Sequence, residues 1–275
     1  MIALAIGLGI FITRKFELGW KLFWIGGAVF ILSQVFHIPF NLLVLNPLLG
    51  EVRGAQISEV LKSAVTAIVL GLSAGLFEEG ARYLMYRFWT KNARTWKEGL
   101  LLGAGHGGME AILLGALVLL TFIQMYAMRG SDLSMMVPAE QLELAQQQID
   151  AYWSVTWYDS LLGALERAFA LPCQIAFSAL VLQVFVRKQF RWLFFAIGWH
   201  TLVDAVAVFA VGQWGYYITE ALIAILAVAS VAILFSLRTQ EEMPPVEVSP
   251  SSLPSQTQLP ELDLTSESIE TTRYE

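Results

Sequence analysis

Long apolar runs separated by short polar segments occupy residues 1–238 of the chain. An apolar run of about 20 residues is long enough to cross the ~30 Å hydrocarbon core of a bilayer as an α-helix. The pattern predicts seven helical segments, which are Met1–Thr13, Trp20–Leu45, Ser63–Trp89, Gly99–Met128, Trp157–Val186, Trp192–Val211 and Trp214–Ser236. We therefore expect an all-α polytopic membrane protein, a bundle of about seven transmembrane helices.

The first apolar run is shorter than the others. At about 1.5 Å per residue it covers about 20 Å, which is less than the hydrocarbon core. Arg14 and Lys15 follow this run, whereas the basic residues of a secretory signal peptide precede its apolar stretch. We expect either a shortened start of the chain or a helix that requires local thinning of the bilayer.

Basic residues are concentrated in alternate connecting segments. They are frequent after the first, third and fifth runs and sparse after the second, fourth and sixth. Since cytoplasmic segments carry the excess of Lys and Arg, this alternation predicts a cell-membrane protein with an external N-terminus and a cytoplasmic C-terminus. The residues concerned are Arg14, Lys15, Lys21, Lys91, Arg94, Lys97, Arg187, Lys188 and Arg191.

Two polar stretches lie outside the apolar runs. Within the long segment Arg129–Thr156, the Glu- and Gln-rich stretch Ala139–Tyr152 predicts a surface helix. The stretch Thr239–Glu275 is rich in Pro, Ser, Thr and Glu and buries too little apolar surface to offset the entropy of ordering. We expect a transmembrane domain over residues 1–238 and a disordered acidic cytoplasmic tail over residues 239–275.

Composition agrees with a membrane protein and excludes several other classes. Of the chain, 56% is hydrophobic and 15% charged, whereas about a quarter of a soluble domain is charged. No basic stripe interleaved with aromatic residues is present, so nucleic-acid binding is not expected. The single cysteine, Cys173, excludes a disulfide framework and a CxxC site. We expect Cys173 to be a small buried hydrophobic residue.

Ionisable residues within the predicted spans are the main sign of function. Such groups are costly in hydrocarbon and usually face the bundle interior or a water-filled cavity. All three histidines of the chain lie within spans. The full set is His37, His106, His200, Glu78, Glu79, Arg82, Glu110, Glu166, Arg167 and Asp204.

Helical spacing orders these groups by face. Residues four apart share a face, and three pairs have this spacing: Glu78 with Arg82, His106 with Glu110, and His200 with Asp204. Glu79 is rotated about 100° from Glu78, so we do not expect the two carboxylates to project equally into one site. The small residues Gly99, Gly103 and Gly107 permit another helix to approach the fourth span closely.

Depth provides a second criterion. Counted from the predicted cytoplasmic ends of their spans, Glu78 lies about 14 Å deep, His106 about 10 Å and His200 about 12 Å. His37 lies about 25 Å from that side, and Glu166 is near the external end. Three helices therefore place one carboxylate and two imidazoles in a single layer, and we expect a water-filled site there that opens toward the cytoplasm.

Structural explanations exist for the individual groups. On a structural interpretation, Glu78 with Arg82 and Glu166 with Arg167 are ion pairs without a catalytic role. His37 would then only donate a hydrogen bond to a backbone carbonyl near Pro39. These explanations do not account for the coincidence of depth and face in three separate helices. We therefore interpret the layer as a functional site.

A carboxylate and two histidines around water suit hydrolysis. The carboxylate can act as a general base on a water molecule, and the imidazoles can stabilise the oxyanion that forms. The same three residues, Glu78, His106 and His200, also provide ligands for a Zn²⁺ ion with an open water position. The residues alone leave both mechanisms open.

Resemblance to a known family rests on three motifs in this order: EEGAR at residues 78–82, GHGGME at 105–110 and HTLVD at 200–204. Together they resemble the YhfC family of intramembrane metalloproteases. That family is similar to the type II CAAX prenyl proteases, also called bacteriocin-processing membrane proteases, and to the PrsW proteases. The resemblance extends over roughly Trp20 to Val211, so a CAAX-protease-like bundle is expected.

The resemblance implies an endopeptidase that cleaves a membrane-associated protein or peptide. By this comparison Glu78 acts with His106 to activate water, while His200 and Asp204 stabilise the oxyanion or help to hold a metal, with zinc as the candidate ion. Arg82 would fix the glutamate pair. The supporting residues would be Glu79, Arg82 and Glu110.

Two departures and two alternatives accompany this interpretation. The arginine lies one residue closer to the glutamates than in the EExxxR motif of CAAX-type proteases, and Asp204 occupies a position that is often Asn.

One alternative is a non-catalytic membrane scaffold or chaperone subunit that retains the motifs, similar to the APH subunit of gamma-secretase. The other is a proton-coupled transporter, for which interrupted helices and an internal repeat would be expected, and neither is found.

Overall fold

The computed structural model describes residues 1–135 and 137–238, and all regular structure within them is helical. Helices account for most of these residues, which confirms the predicted all-α class. The prediction of disorder for residues 239–275 lies outside the described residues. The α-helices of the described residues are α1 (Ile2–Phe16), α2 (Lys21–Phe40), α3 (Asn46–Gly54), α4 (Glu59–Leu84), α5 (Trp96–Met128), α6 (Leu142–Ser154), α7 (Leu162–Val186), α8 (Arg191–Trp214) and α9 (Tyr216–Ser236).

Six helical stretches of the described chain are long and apolar enough to cross a membrane. The helix α1 has 15 residues and is not among them, in line with the short first run of the sequence. A multi-pass bundle is therefore confirmed, and a crossing by α1 stays a prediction. The six stretches are Lys21–Gly54, Glu59–Trp89, Trp96–Met128, Asp159–Val186, Arg191–Trp214 and Tyr216–Ser236.

Helix boundaries follow local chemistry that a hydropathy pattern does not contain. At the start of α5, Thr95 and Glu98 form a reciprocal capping box, so the helix begins before the apolar run that starts at Gly99. After α2, a π-helical turn at Asn41–Leu45 continues directly into α3. The predicted surface helix is present as a 3₁₀ turn followed by α6.

The helix α7 lies at the centre of the bundle. Within its most apolar stretch 72% of residues are buried, far more than in the other candidate spans, and it packs against α4, α5, α8 and α9. Phe177 and Leu182 of α7 are among the largest fully buried side chains. Because lipid is as apolar as these side chains, close van der Waals packing is what stabilises the contacts in a membrane. The core therefore surrounds α7.

Glycine brings α5 unusually close to its neighbours. A Cβ atom on Gly105 would lie 2.0 Å from the carbonyl oxygen of Phe23 in α2, and one on Gly26 would lie 2.1 Å from the carbonyl oxygen of Leu102. No side chain fits at such distances, so α2 and α5 meet backbone to backbone. His106, adjacent to Gly105, is thereby held close to α2.

The predicted small-residue face of α5 is also confirmed as a close contact. A Cβ on Gly103 would lie 2.7 Å from the Cα of Ile175, and one on Gly107 would lie 2.7 Å from the Cβ of Gln174. Both contacts are with α7. The side of α5 that carries His106 is therefore enclosed between α2 and α7.

Candidate active site

Glu78 and His106 connect α4 to α5 in the interior of the bundle. His106 Nε2 lies 3.1 Å from Glu78 Oε2. Gln34 of α2 donates from its amide nitrogen to the other carboxylate oxygen, Oε1, over 3.2 Å. Glu78 is 7% exposed and His106 is 1% exposed. Three helices therefore hold one carboxylate in a fixed orientation inside the protein.

Glu79 and His200 form a second pair between α4 and α8. His200 Nδ1 lies 2.7 Å from Glu79 Oε1, and His200 Nε2 lies 3.4 Å from Asp204 Oδ2. The imidazole ring stacks on Phe177 of α7 with ring centroids 4.4 Å apart and planes inclined by 10°. Glu79 and His200 are buried, whereas the Asp204 side chain is 37% exposed.

Arg82 joins the two pairs. Its guanidinium forms an ion pair with Glu79 through Nη1, and its Nη2 lies 3.9 Å from Glu78 Oε2. The same Nη2 donates to the side-chain oxygen of Gln174 in α7. Because a buried carboxylate requires an opposite charge or hydrogen-bond donors, this one guanidinium stabilises both glutamates.

A further set of polar groups extends from Gln174. Its amide nitrogen donates to Glu110 Oε2 over 2.9 Å. Arg167 Nη1 donates to Glu110 Oε1 over 2.5 Å, and the same guanidinium contacts Glu166. The predicted supporting residue Glu110 is therefore linked by hydrogen bonds to Gln174 and through it to Arg82.

The structure brings together Glu78, His106, His200 and Asp204, with Glu79 and Arg82 between them. The expectation that the two adjacent glutamates differ in direction agrees with their contacts, since Glu78 faces His106 and Glu79 faces His200. Glu79 is nevertheless a full member of the cluster, which the helical rotation alone did not indicate. It is the direct partner of His200.

Sequence reasoning assigned no role to the two glutamines, Gln34 and Gln174. It considered ionisable residues within the spans and passed over uncharged amides, although an amide in lipid also needs a hydrogen-bond partner. A search for every polar side chain on the buried face of a span would have found both. Each of them orients a charged member of the cluster.

His37 lies beside the cluster: among the described residues its hydrogen bonds go elsewhere, but it interacts electrostatically with Glu78, His200 and Asp204. Its Nε2 is 3.0 Å from Ser73 Oγ and 3.0 Å from Asn41 Nδ2, and its ring stacks on Phe77. It is satisfied by side chains and not by the backbone carbonyl that the structural explanation invoked. The π-helical turn that begins at Asn41 follows directly after this contact.

The side chains as arranged do not fit a zinc ion. No three His, Cys, Asp or Glu residues within 1–135 and 137–238 form a group suited to a metal, whereas zinc sites use three or four converging ligands. Glu78, His106 and His200, the predicted ligands, are divided: Glu78 contacts His106, while both ring nitrogens of His200 face other carboxylates. The guanidinium between the glutamates already supplies the local positive charge.

Comparison with known proteins agrees with the resemblance seen in the motifs. The chain is 33% identical over 216 residues to the uncharacterized membrane protein YhfC of Bacillus subtilis (strain 168), and the aligned part covers 74% of this chain and 79% of that protein. No solved structure is significantly similar to the chain. A sequence model of the YhfC intramembrane metalloprotease family matches residues 1–227, and the chain therefore belongs to this family.

Proposed function

We propose that this protein is an intramembrane endopeptidase that hydrolyses a peptide bond of a membrane-associated protein or peptide. The observation that carries the proposal is the buried contact of 3.1 Å between Glu78 Oε2 and His106 Nε2. A carboxylate and an imidazole held together in a protein interior are groups that can carry out general acid–base catalysis. The family to which the chain belongs is described by the same activity.

In this proposal Glu78 is the general base. It takes one proton from a water molecule, whose oxygen then forms a bond to the carbonyl carbon of the substrate. His106 holds the carboxylate through its hydrogen bond and Gln34 holds the other oxygen. When the carbon–nitrogen bond breaks, the proton held by Glu78 passes to the departing amine, so one carboxyl group and one amino group are formed.

His200 is the proposed stabiliser of the oxyanion. Its ring is fixed between Glu79 and Asp204 and stacked on Phe177. An N–H donor that is oriented before the reaction stabilises developing negative charge at little cost in reorganisation. In this scheme Glu79 orients the ring through Nδ1, and the Nε2–H turns from Asp204, 3.4 Å away and partly exposed, to donate to the oxyanion. Arg82 supplies positive charge nearby.

The chemistry of these side chains needs no metal, although the family is named for one. We expect the chelator 1,10-phenanthroline to leave cleavage by the purified protein unchanged, because Glu78, His106 and His200 do not converge as ligands. The measurement is the cleavage rate of a quenched-fluorescence transmembrane peptide in detergent micelles. Loss of activity that zinc restores would contradict this part of the proposal.

The proposal is tested by substituting the general base and its partner. We expect Glu78→Gln and His106→Ala to lower the cleavage rate of the same peptide by about 100-fold or more, the usual contribution of general acid–base catalysis. His37→Ala should change the rate much less. Glu59→Gln is the matched control, since Glu59 is an exposed acid at the start of the same helix.

Folding is checked by the elution of each variant as a single species from a size-exclusion column. Retention of the full rate by folded Glu78→Gln would eliminate Glu78 as the base. Hydrolysis in water enriched in ¹⁸O should place one heavy atom in the new carboxyl group of the product. A product without ¹⁸O would overturn hydrolysis itself.

A further inference from the structure

A small polar pocket lies beside the candidate active site, between α5, α7, α8 and α9. Its volume is about 60 Å³, and a water molecule needs about 10–15 Å³ on this measure. It therefore has room for several water molecules. We call it the acidic vestibule, defined by its polar lining residues Glu110, Glu166, Arg167, Gln174 and Asp204.

The inner wall of the acidic vestibule touches the catalytic cluster at three points. Gln174 accepts a hydrogen bond from Arg82. Phe177, also in the wall, stacks on His200. Asp204 Oδ2 lies 3.4 Å from His200 Nε2. Water in the acidic vestibule is therefore one side chain away from the proposed oxyanion stabiliser.

The outer end of the acidic vestibule faces the start of α7. Along this helix Phe177 and Gln174 are buried, whereas the side chain of Glu166, near its first residue, is 40% exposed. The helices α7 and α9 begin at this end of the bundle, and α5 and α8 end there. It is the end that carries α6, and it is opposite to the end where Lys91 lies.

The charges of the acidic vestibule require water. Glu110, Glu166 and Asp204 bring three carboxylates, while Arg167 is the guanidinium among its lining residues. Exposed carboxylates within a span are costly in hydrocarbon and cheap in water. Glu220 of α9 interacts electrostatically with Glu166 and Arg167, and its buried Oε2 has no protein partner among the described residues. A buried oxygen of this kind is normally satisfied by water.

We propose that the acidic vestibule is the aqueous entrance of the catalytic cluster, through which water reaches His200 from the end of the bundle that carries α6. As the route of a peptidase, it rests on the proposed function. Under the predicted orientation this end is external, so the entrance lies on the opposite side from the cytoplasmic opening expected from sequence.

The test uses cysteine accessibility in the full-length protein, in a Cys173→Ala background that removes the native thiol. Ala170→Cys and Ala207→Cys place a thiol in the lining of the acidic vestibule. Val208→Cys is the matched control, since Val208 follows Ala207 on α8 and is an exposed hydrophobic residue. A charged, membrane-impermeant methanethiosulfonate reacts with the thiolate, which forms in water and not in lipid.

We expect Ala170→Cys and Ala207→Cys to react at least ~10-fold faster than Val208→Cys, as measured by mass spectrometry. Equal, slow rates at all three positions would show a dry pocket and overturn the proposal. The side of the membrane from which the reagent enters is assigned with two exposed reference positions at opposite ends of the bundle, Lys91→Cys and, in α6, Gln146→Cys. Reagent applied to the side that labels Gln146→Cys should label the vestibule positions.

Labelling only from the side that reaches Lys91→Cys would overturn the proposed side of entry. The labelling measurement does not use enzymatic activity, so it separates the two proposals. Rapid labelling of Ala170→Cys in a protein that cleaves no peptide would retain the aqueous entrance and remove the peptidase. Cleavage by a protein whose vestibule thiols stay unreactive would retain the peptidase and remove the aqueous entrance.

Discussion

Arg82 is the side chain on which the buried charges of the active site depend. It is fully buried, contacts the carboxylates of both Glu78 and Glu79, and is itself oriented by Gln174. Two adjacent glutamates without this cation would repel each other in a medium of low dielectric constant. Arg82 lies three residues after Glu79 and four after Glu78, so one helix supplies both the negative and the positive charges.

We expect Arg82→Met to destabilise the protein by about 3–5 kcal/mol, because it leaves two buried carboxylates without their cation. The measurement is the free energy of unfolding in detergent micelles. Lys62→Met is the control, since Lys62 pairs with the exposed Glu59 and such surface pairs contribute about 0–1 kcal/mol. Equal effects of the two substitutions would contradict the role assigned to Arg82.

At this scale the sequence identified most members of the cluster but not their pairing. Depth and face selected Glu78, His106 and His200, since both follow from helix geometry. Which glutamate meets which histidine depends on the rotation of α4 against α5 and α8, and that rotation is determined by packing. The predicted zinc ligands therefore fall into two separate pairs, with Glu79 as the unforeseen partner of His200.

Among the elements, the contact of α2 with α5 is the one that positions His106. The two backbones meet at Gly26 and Gly105, where an added Cβ would lie within 2.1 Å of a carbonyl oxygen. A backbone atom cannot move aside as a flexible side chain can. The distance between Gln34 on α2 and the cluster on α4 and α5 therefore depends on these two glycines.

Gly105→Ala should force α2 away from α5 and lower both thermal stability and the cleavage rate. A decrease in the melting temperature of several degrees, about what 1–3 kcal/mol of overpacking produces, is the expected outcome. Gly198→Ala in α8 is the matched control, because a Cβ there meets nothing within 4 Å. If the two variants have the same melting temperature, the close approach of α2 and α5 is not essential for stability.

Helix position was predictable from hydropathy, and helix ends were not. The apolar runs located all the candidate spans, but the capping box at Thr95 lies in a polar segment that such runs exclude. The predicted second segment reached Leu45, but the π-helical form of Asn41–Leu45 and the continuation into α3 were not predicted, because a π-helical turn depends on a local change in backbone hydrogen bonding. Polar chemistry decides where these apolar helices begin and end.

For the whole molecule, the distribution of basic residues predicts the orientation in the membrane. We expect green fluorescent protein fused after Glu275 to fluoresce, because the alternation of charge places that end in the cytoplasm. Alkaline phosphatase fused at the same position should be inactive. The reverse pair of signals would contradict the orientation.

Insertion of alkaline phosphatase after Gly130, in the segment before α6, is the internal control and should give active enzyme. The charge rule counts short segments near the ends of spans, and so it assigns a side to each segment independently of how the helices pack. A helix bundle without a bilayer contains no such information. The orientation is therefore a prediction from sequence alone, whereas the proposal of the entrance is argued from the packed side chains.

The central helix α7 carries two side chains that bind charged residues of the bundle. Gln174 holds the guanidinium of Arg82, and Arg167, seven residues earlier, holds Glu110 and Glu166. About two helical turns, or about 10 Å, separate the two residues, and Pro172 lies between them. Gln174 lines the acidic vestibule and also accepts a hydrogen bond from Arg82, so a displacement of α7 at this residue alters the vestibule and the position of the catalytic guanidinium together.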